Sequence, residues 1–390
     1  MSVLGKIAKV FDDAKDRMLL KQRKKNAKKK FNDPKRVEIY SKIELSKEQK
    51  AEIDKLYLEN YGKKIPYVWH RHYTAFTGRF DAKYFPELLY APLFEKFMTQ
   101  ENEYAKVFTD KNTLSIFARG VGVKMPKEVI SSSRGVIKND NFENVSLQQA
   151  EEILKDIGQV FIKPSEDSNS GKGCFVADFD NGVDQISNKT AKQILLETGE
   201  NFTVQERVKC HKSISQIYDG SVNTMRIISY WWRGELKFFP VIMRIGSGGA
   251  YLDNAHAGGM FIAVDDDGTL HKKAFTEFKM EFEEHPDSKL RFEGHKISHM
   301  ERVFEAVRKM HVCIPQVGVV NWDFTIDEDG FPVLIEANMN NGRQCGSIWL
   351  MEMAHGCGAF KENTEEVLKW VGKLERLPRS KRKNFKFGRM

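Results

Sequence analysis

Cysteine is scarce: Cys174, Cys210, Cys313, Cys345 and Cys357 are five thiols in 390 residues, widely spaced and without a C-x-x-C pair. That spacing argues against a disulfide framework and against a thiolate zinc site, and the expected state is reduced, mostly buried cysteine. Long apolar runs are missing too, since none approaches the roughly 20 residues that a membrane-crossing helix needs. Lys6, Lys9, Asp12 and Asp13 interrupt the opening MSVLGKIAKVFDDAKDRMLL, which therefore does not read as a secretory signal. These absences lead to the expectation of a cytoplasmic protein. There is no internal repeat, and no nucleic-acid-reading motif accompanies the basic residues, which disfavours a DNA or RNA partner.

What is present is a globular composition, 41% apolar and 30% charged, on a chain long enough for more than one domain. The formal charge of +8 is concentrated at the start: residues 1–35 carry ten lysines and two arginines against four aspartates. Val3, Leu4, Ile7, Val10, Phe11, Met18 and Leu19 recur there at near-helical spacing, and RSKRKNFKFGR forms a second basic run near the end. A basic amphipathic helix of this kind can lie on an anionic membrane surface, giving peripheral contact at the inner face, or can pack its apolar stripe on the body.

The fold class expected is α+β. Residues 46–60 read as a helix capped by Ser46, and 85–105 as one or two helices introduced by Pro86 and Pro92. Lys111–Arg119 reads as a helix, followed by short strands at Val129–Ile130 and Val136–Ile137. From Gln159 onward, strands separated by glycine turns suggest antiparallel sheet: Val160–Lys163, Gly173–Asp178, Phe202–Val208, Thr224–Trp232 with Leu236–Ile245, and Val317–Asp327 with Phe331–Asn338. Helices are expected at Thr190–Glu197 and Glu301–His311. The expected division is a basic tail (1–35), a helical leader (36–105), a small α/β lobe (106–200), a larger lobe (201–365) and a basic tail (366–390).

Three constellations carry chemistry. FIKPSEDSNSGKGCFVAD places Lys163 at the end of a strand before a loop with Ser170, Gly171 and Gly173. Backbone N–H groups of such a loop and the lysine charge suit phosphate, although a plain polar hairpin turn uses similar residues. In NWDFTIDEDGFPVLIEANMN, period-two geometry puts Glu336 and Asn338 on one strand face, and a tight turn at Asp329-Gly330 brings Asp323 beside them. Two carboxylates and an amide suit one or two hard Mg²⁺ ions, with Mn²⁺ as a substitute, among the apolar Trp322, Phe324, Ile335 and Ala337. The third set is Arg226 and Arg244 on adjacent strands, with Asp253-Asn254 nearby; the arginines need either a transferring phosphoryl group or acidic ion-pair partners. His256, His285, Arg343 and Cys345 stand near these motifs as substrate-side candidates. The histidines of WHRHY (69–73) and the run Tyr230-Trp231-Trp232 read more simply as packing.

The order lysine strand, glycine loop, Gln205-Glu206-Arg207-Val208, arginine pair and D…ExN resembles the ATP-grasp family. The wording QERVKCHKSI, SVNTMRIISY, MRIGSGGAYLDNAHAGGM and WHRHYTAFTGRFDAKYFPELLY looks like its sugar-transfer-associated subfamily, over roughly residues 45–360. The resemblance implies two α/β lobes with antiparallel sheets clamping ATP, behind an α-rich leader. It implies that Gln205, Glu206 and Val208 meet adenine, that Lys163 meets phosphate, and that Asp323, Glu336 and Asn338 hold Mg²⁺. VFTDKNTLSIFARGVGVKMP is similar to the family's upstream lobe, whose second ATP lysine would be Lys111, with Lys106 as second choice. Arg226, Arg244 and Asn254 would then act in catalysis. The activity implied is carboxylate–amine ligation through an acyl-phosphate, on a small-molecule or lipid-linked acidic sugar and an amine in bacterial capsule or surface-polysaccharide synthesis. A kinase acting on a sugar or polyol hydroxyl and a non-catalytic ATP-binding scaffold at the membrane are the alternatives.

Overall fold

The computed structural model describes residues 3–99, 104–166, 171–251, 253, 259–339 and 348–382. Its mixed helix and antiparallel-sheet architecture agrees with the α+β class expected. A smaller sheet contains β1 (Glu128–Ser133), β2 (Val136–Asn139), β3 (Gly158–Pro164), β4 (Phe175–Asp180), β5 (Val183–Asp184) and β6 (Phe202–Glu206), in the order β2-β1-β6-β3-β4-β5. Every pairing in it is antiparallel. Strand alternation sends Ile130, Val160, Ile162, Ala177, Phe179 and Val204 to one side. There they pack on Ala150 and Leu154 of the helix Leu147–Leu154 and on Ile194 and Leu195 of the helix Ala191–Thr198. Both helices begin with capping boxes, Ser146 with Gln149 and Thr190 with Gln193. Because β6 lies between β1 and β3, this lobe's sheet extends past residue 200.

The larger, eight-stranded sheet is built from β7 (Thr224–Trp232), β8 (Glu235–Phe238), β9 (Val241–Ile245), β10 (Met260–Val264), β11 (Leu270–Phe275), β12 (Glu281–Phe282), β13 (Val319–Ile326) and β14 (Pro332–Asn338). Its order is β12-β11-β10-β9-β7-β13-β14, with β8 also on β7. The strand expected over Leu236–Ile245 is two strands, since Pro240 has no N–H for the ladder. Phe239 donates its N–H to the Ile228 carbonyl at 2.9 Å, so both halves stay on β7 and Arg226 and Arg244 remain on neighbouring strands. The Asp329-Gly330 turn forms with Gly330 at φ 80°, where a Cβ would also sit 2.7 Å from His299 Nε2.

Each face of this sheet has its own cover. Met225, Ile227, Met243, Ile262, Trp322 and Phe324 join Val303, Val307 and Met310 of the helix Met300–Val312. Ile228, Tyr230, Trp232, Ile242 and Phe261 face the leader helices Lys47–Asn60 and Val68–Thr77. Ser46 and Gln49 form the capping box of the first of these. Pro86 precedes a short helical turn as expected, but Pro92 lies inside a π-helical turn, Tyr90–Glu95, which runs into Lys96–Thr99. A missing N–H within a helical run widens it locally, so Pro92 interrupts the run and does not start a second helix. Beyond residue 365, where a basic tail is expected, the helix Thr364–Arg376 continues and buries Val367, Leu368, Trp370, Val371 and Leu374 against the leader. Among the described residues no helix is long and apolar enough to cross a membrane.

Candidate active site

Alternation along β7, β9 and β13 decides which side chains reach the cleft. With Met225, Met243, Trp322 and Phe324 committed to the core behind the sheet, Thr224, Arg226, Arg244 and Asp323 fall on the opposite face. Trp322 and Phe324, expected to surround the acids, therefore lie behind them. A register irregularity between Asp323 and Phe324 sets Asp323 opposite Glu336 and Asn321 opposite Asn338. The three residues expected to share a face do so: Asn338 Nδ2 donates to Asp323 Oδ2 at 3.2 Å.

Asp323 and Arg226 are also register partners, across β13 and β7. Arg226 grips the carboxylate through Nε to Oδ1 and through Nη2 to Oδ2, the latter at 2.9 Å. Arg244 Nη2 lies 3.2 Å from the same Oδ2 and 3.5 Å from Asp253 Oδ1. Thr224 Oγ1 accepts from Arg244 Nη2 at 2.7 Å and donates to Asp253 Oδ2. Burial alone would neutralise Asp323, but the two guanidinium groups hold its carboxyl below the usual carboxylate range. Burial opposes charge on Arg226 as well, and Asp323 overcomes it, raising the guanidinium above its ordinary value. Asp253 stays raised, because burial outweighs Arg244 and the Thr224 hydrogen bond.

The smaller sheet supplies lysines from the other side. Lys163, opposite Thr203, and Phe161, opposite Gln205, sit on the sheet face away from that lobe's core. The Lys163 ammonium is buried, and burial followed by repulsion from Lys111 lowers its pKa to about 8. Lys111 opens the helix Lys111–Gly120, capped by Asp110, and its N–H donates to the Ser165 carbonyl at 3.0 Å. Its Nζ lies 3.4 Å from Glu336 Oε1, so the two lobes meet there. Gly171 and Gly173 both adopt positive φ in the turn before β4, and a Cβ on Gly173 would press on Pro164 at 3.0 Å. Gln205 is buried, with Nε2 lacking a partner among the described residues. Glu206 turns outward to Lys127 at 2.6 Å, and Val208 follows in the half-buried connection to the larger sheet.

Ser170 and Asn254 lie outside the described residues, as do His256, Arg343, Cys345 and the side chain of Lys106. His285 serves the scaffold: Nε2 bonds the Gly246 carbonyl at 2.9 Å, and Nδ1 accepts from the N–H groups of Asp287 and Ser288. In WHRHY, His70 bonds the Ala82 carbonyl and His72 packs edge-on against Phe31. Burial lowers their pKa values to about 4 and about 3, which fits packing. Tyr230 and Trp232 are likewise core residues. The site also draws in Glu128, raised by burial and close enough to Lys163 to act on its charge. Its position before the apolar pair Val129-Ile130 gave no chemical signal.

Two lysines and two arginines thus face Asp323, Asp253 and Glu336, a balance that favours a polyanion. The donor chemistry fits a hard divalent cation: Glu336 and Asn338 are half-buried oxygen donors, while Asp323 sits deeper behind two guanidinium groups. The buried Gln205 Nε2, without a partner among the described residues, fits a heterocyclic base with acceptor nitrogens.

A family model described as sugar-transfer-associated ATP-grasp matches residues 93–368. No curated protein matches. Among solved structures, D-alanyl-alanine synthetase A from Vibrio cholerae is 14% identical, with TM-score 0.40, over 68% of this chain and 65% of that one. An L-amino acid ligase from Bacillus licheniformis is 12% identical, with TM-score 0.37, over 70% and 49%. N5-carboxyaminoimidazole synthetase from Staphylococcus aureus, complexed with ADP, is 12% identical, with TM-score 0.35, over 59% and 44%. The chain therefore spans about half to two thirds of those structures.

Proposed function

The chain belongs to the sugar-transfer-associated ATP-grasp family, and from that premise we propose that it is an ATP- and Mg²⁺-dependent ligase joining a carboxylate to an amine. The observation that carries this reading is the meeting of Lys111 and Lys163 from one lobe with Glu336 from the other, beside the Arg226–Asp323–Arg244 cluster. Lys163 and Lys111 bind the phosphates, backbone at Gly171 and Gly173 approaches them closely, and Gln205 receives the adenine. Glu336 and Asn338, with Asp323 behind them, hold the metal. When bound, Mg²⁺ neutralises phosphate charge and orients the γ-phosphoryl group.

In the proposed reaction a substrate carboxylate oxygen attacks the γ-phosphorus, the bond to the ADP oxygen breaks, and an acyl-phosphate forms. The amine nitrogen then attacks the acyl carbon, orthophosphate leaves, and the amine proton passes to solvent. Arg244, with Thr224 and Asp253 fixing its head group, is placed to meet charge growing on the transferred phosphoryl group. Arg226 chiefly positions Asp323. No side chain need act as nucleophile. The family description goes no further than an association with sugar transfer; on that basis the carboxylate substrate is proposed to be an acidic sugar, free or lipid-linked, in surface-polysaccharide synthesis.

Calorimetry with ATP·Mg²⁺ on the wild type and on Glu336→Gln tests the site without knowledge of the substrate, and the variant should bind more weakly. Release of ADP and orthophosphate that requires both an acid and an amine tests the reaction. A stable phosphorylated product formed without amine would replace ligation by kinase chemistry, and absence of ATP binding would remove the reading altogether.

A further inference from the structure

The first helix, Val3–Phe31, presents two unlike faces. Asp16, Leu20, Ala27 and Phe31 are buried against the body. Asp16 is paired with Lys96 at 2.7 Å and with Arg382, and Lys24 reaches Tyr61 at 2.9 Å and Glu375. At 3.6 residues per turn, Ile7, Phe11 and Met18 lie about 150–170° around the helix from that anchored face, and Val10 lies at the edge of the same outer half, about 90° away. Ile7, Val10, Phe11 and Met18 are 49%, 69%, 71% and 65% exposed. From Ile7 to Met18 this part of the apolar stripe legible in the sequence therefore does not cover the core: it points away from the protein.

Exposed cations border and continue that outer face. Lys15 and Arg17 flank the apolar stripe, and Lys21, Lys25, Lys28 and Lys29 extend it toward the end of the helix. No acidic side chain falls on this half of the helix surface: Asp12 is turned toward the anchored side, Asp13 accepts from Ser380 N–H at 3.1 Å, and Asp16 is buried.

We propose that the outer face of this helix docks on an anionic lipid bilayer surface, with Ile7, Val10, Phe11 and Met18 inserted at the headgroup boundary and the lysines over acidic headgroups. The chemistry selects this occupant. An apolar stripe bordered by long cationic side chains matches an interface that is apolar below and negative above, since lysine stems lie along the apolar layer and keep their ammonium groups in the headgroups. A second copy of the chain is a poor match, because pairing two such faces would bring like charges together without an acid to separate them. The docking does not depend on the ligase reading, so either can fail alone.

Co-sedimentation with vesicles of equimolar phosphatidylglycerol and phosphatidylcholine, compared with pure phosphatidylcholine, tests it on the full chain. Binding should require the anionic lipid, weaken on raising the salt, and fall about tenfold or more in Phe11→Glu and in the double variant Lys21→Glu, Lys25→Glu. These residues are exposed, so thermal melting should stay at the wild-type value and confirm that the variants are folded. Equal binding of wild type and variants, equal binding to neutral vesicles, or a wild-type dimer in solution that Phe11→Glu dissociates would each overturn the proposal.

Discussion

Arg226 and Asp323 face each other across β7 and β13 and are joined by two hydrogen bonds, Nε to Oδ1 and Nη2 to Oδ2, in a site where both are buried. The pair is part of the scaffold as well as of the site. Removing one partner strands the other charge in a medium that cannot solvate it, and such losses cost about 3–5 kcal/mol. Asp323→Asn should therefore lower unfolding stability by about that amount in denaturant titrations, more than Glu336→Gln, whose half-buried carboxylate stands 3.4 Å from Lys111. The double variant Arg226→Met, Asp323→Leu should recover much of the loss while staying inactive. Equal costs for Asp323→Asn and Glu336→Gln would show that the pair carries no structural weight.

Lys163 gives a pH signature of the opposite kind. Its pKa is about 8 in the fold, against 10.5 for a free lysine. Between those values the unfolded chain binds the proton and the folded chain does not, so this group adds stability as pH rises from about 8 to 10.5. Below pH 8 its buried charge is a penalty. Lys163→Met should accordingly be more stable than wild type at pH 7, by on the order of 3 kcal/mol, with the difference vanishing toward pH 10.5. It should also lose ATP binding. In the wild type, ATP binding should weaken above pH 8 and take up a proton between about pH 8 and 10.5. A variant less stable than wild type at every pH would mean that Lys163 is held by partners that outweigh its burial.

How far the sequence could be read follows from the same geometry. Thr224–Trp232 was legible from end to end, because its aromatic and β-branched residues stop at a Gly234 turn. Asp323, Glu336 and Asn338 could be placed on one face because period two is strict and the Asp329-Gly330 turn is short. β10 gave no such signal: Met260–Val264 is buried on both faces, so its apolar residues do not alternate. The arginines were legible as needing anions, but a single sequence leaves substrate and ion pair equally open. Only the register of β7 against β13 shows that Asp323 is that anion in this structure. The apolar stripe of the first helix was visible too, but its outward direction follows from where Asp16 and Lys24 are anchored.

Glu352 offers a test away from the site. It is fully buried in the helix Ile348–His355, where its carboxyl oxygens accept N–H bonds from Phe85 at 2.9 Å and Ala359 at 2.9 Å. Burial outweighs those bonds and pushes its pKa well above the usual carboxyl range. An acid raised in the fold holds a proton that the unfolded chain has already released, so its contribution is fully present at low pH. It is lost as pH rises above the unfolded value of 4.5. Glu352→Gln should remove that dependence, gaining on wild type as pH rises from 5 to 8 in parallel denaturant titrations run in about unit steps. A constant difference across that range would show the carboxyl to be ionised in the fold.

The last expectation concerns Thr224, which touches both the catalytic candidate Arg244 and its acidic partner. Its hydroxyl accepts from Arg244 Nε at 3.1 Å and Nη2 at 2.7 Å while donating to Asp253. Valine has nearly the same shape, so Thr224→Val keeps the packing of β7 and deletes only this junction. Asp253 would lose a donor while keeping the Thr224 N–H at 3.1 Å, and a loss of about 1–3 kcal/mol in stability follows for a buried group left short of a partner. The larger effect should fall on turnover, because a guanidinium that has lost both Thr224 hydrogen bonds and keeps its contacts with Asp323 and Asp253 meets the phosphoryl group in a less fixed pose. A drop in kcat of about 10- to 100-fold with ATP affinity nearly unchanged is the expected pattern, and Thr224→Ser, which restores the hydroxyl, should recover most of it. If Thr224→Val weakened ATP binding and left turnover of the bound complex alone, Arg244 would be a ground-state phosphate ligand, and its assignment to the transferred group would be wrong.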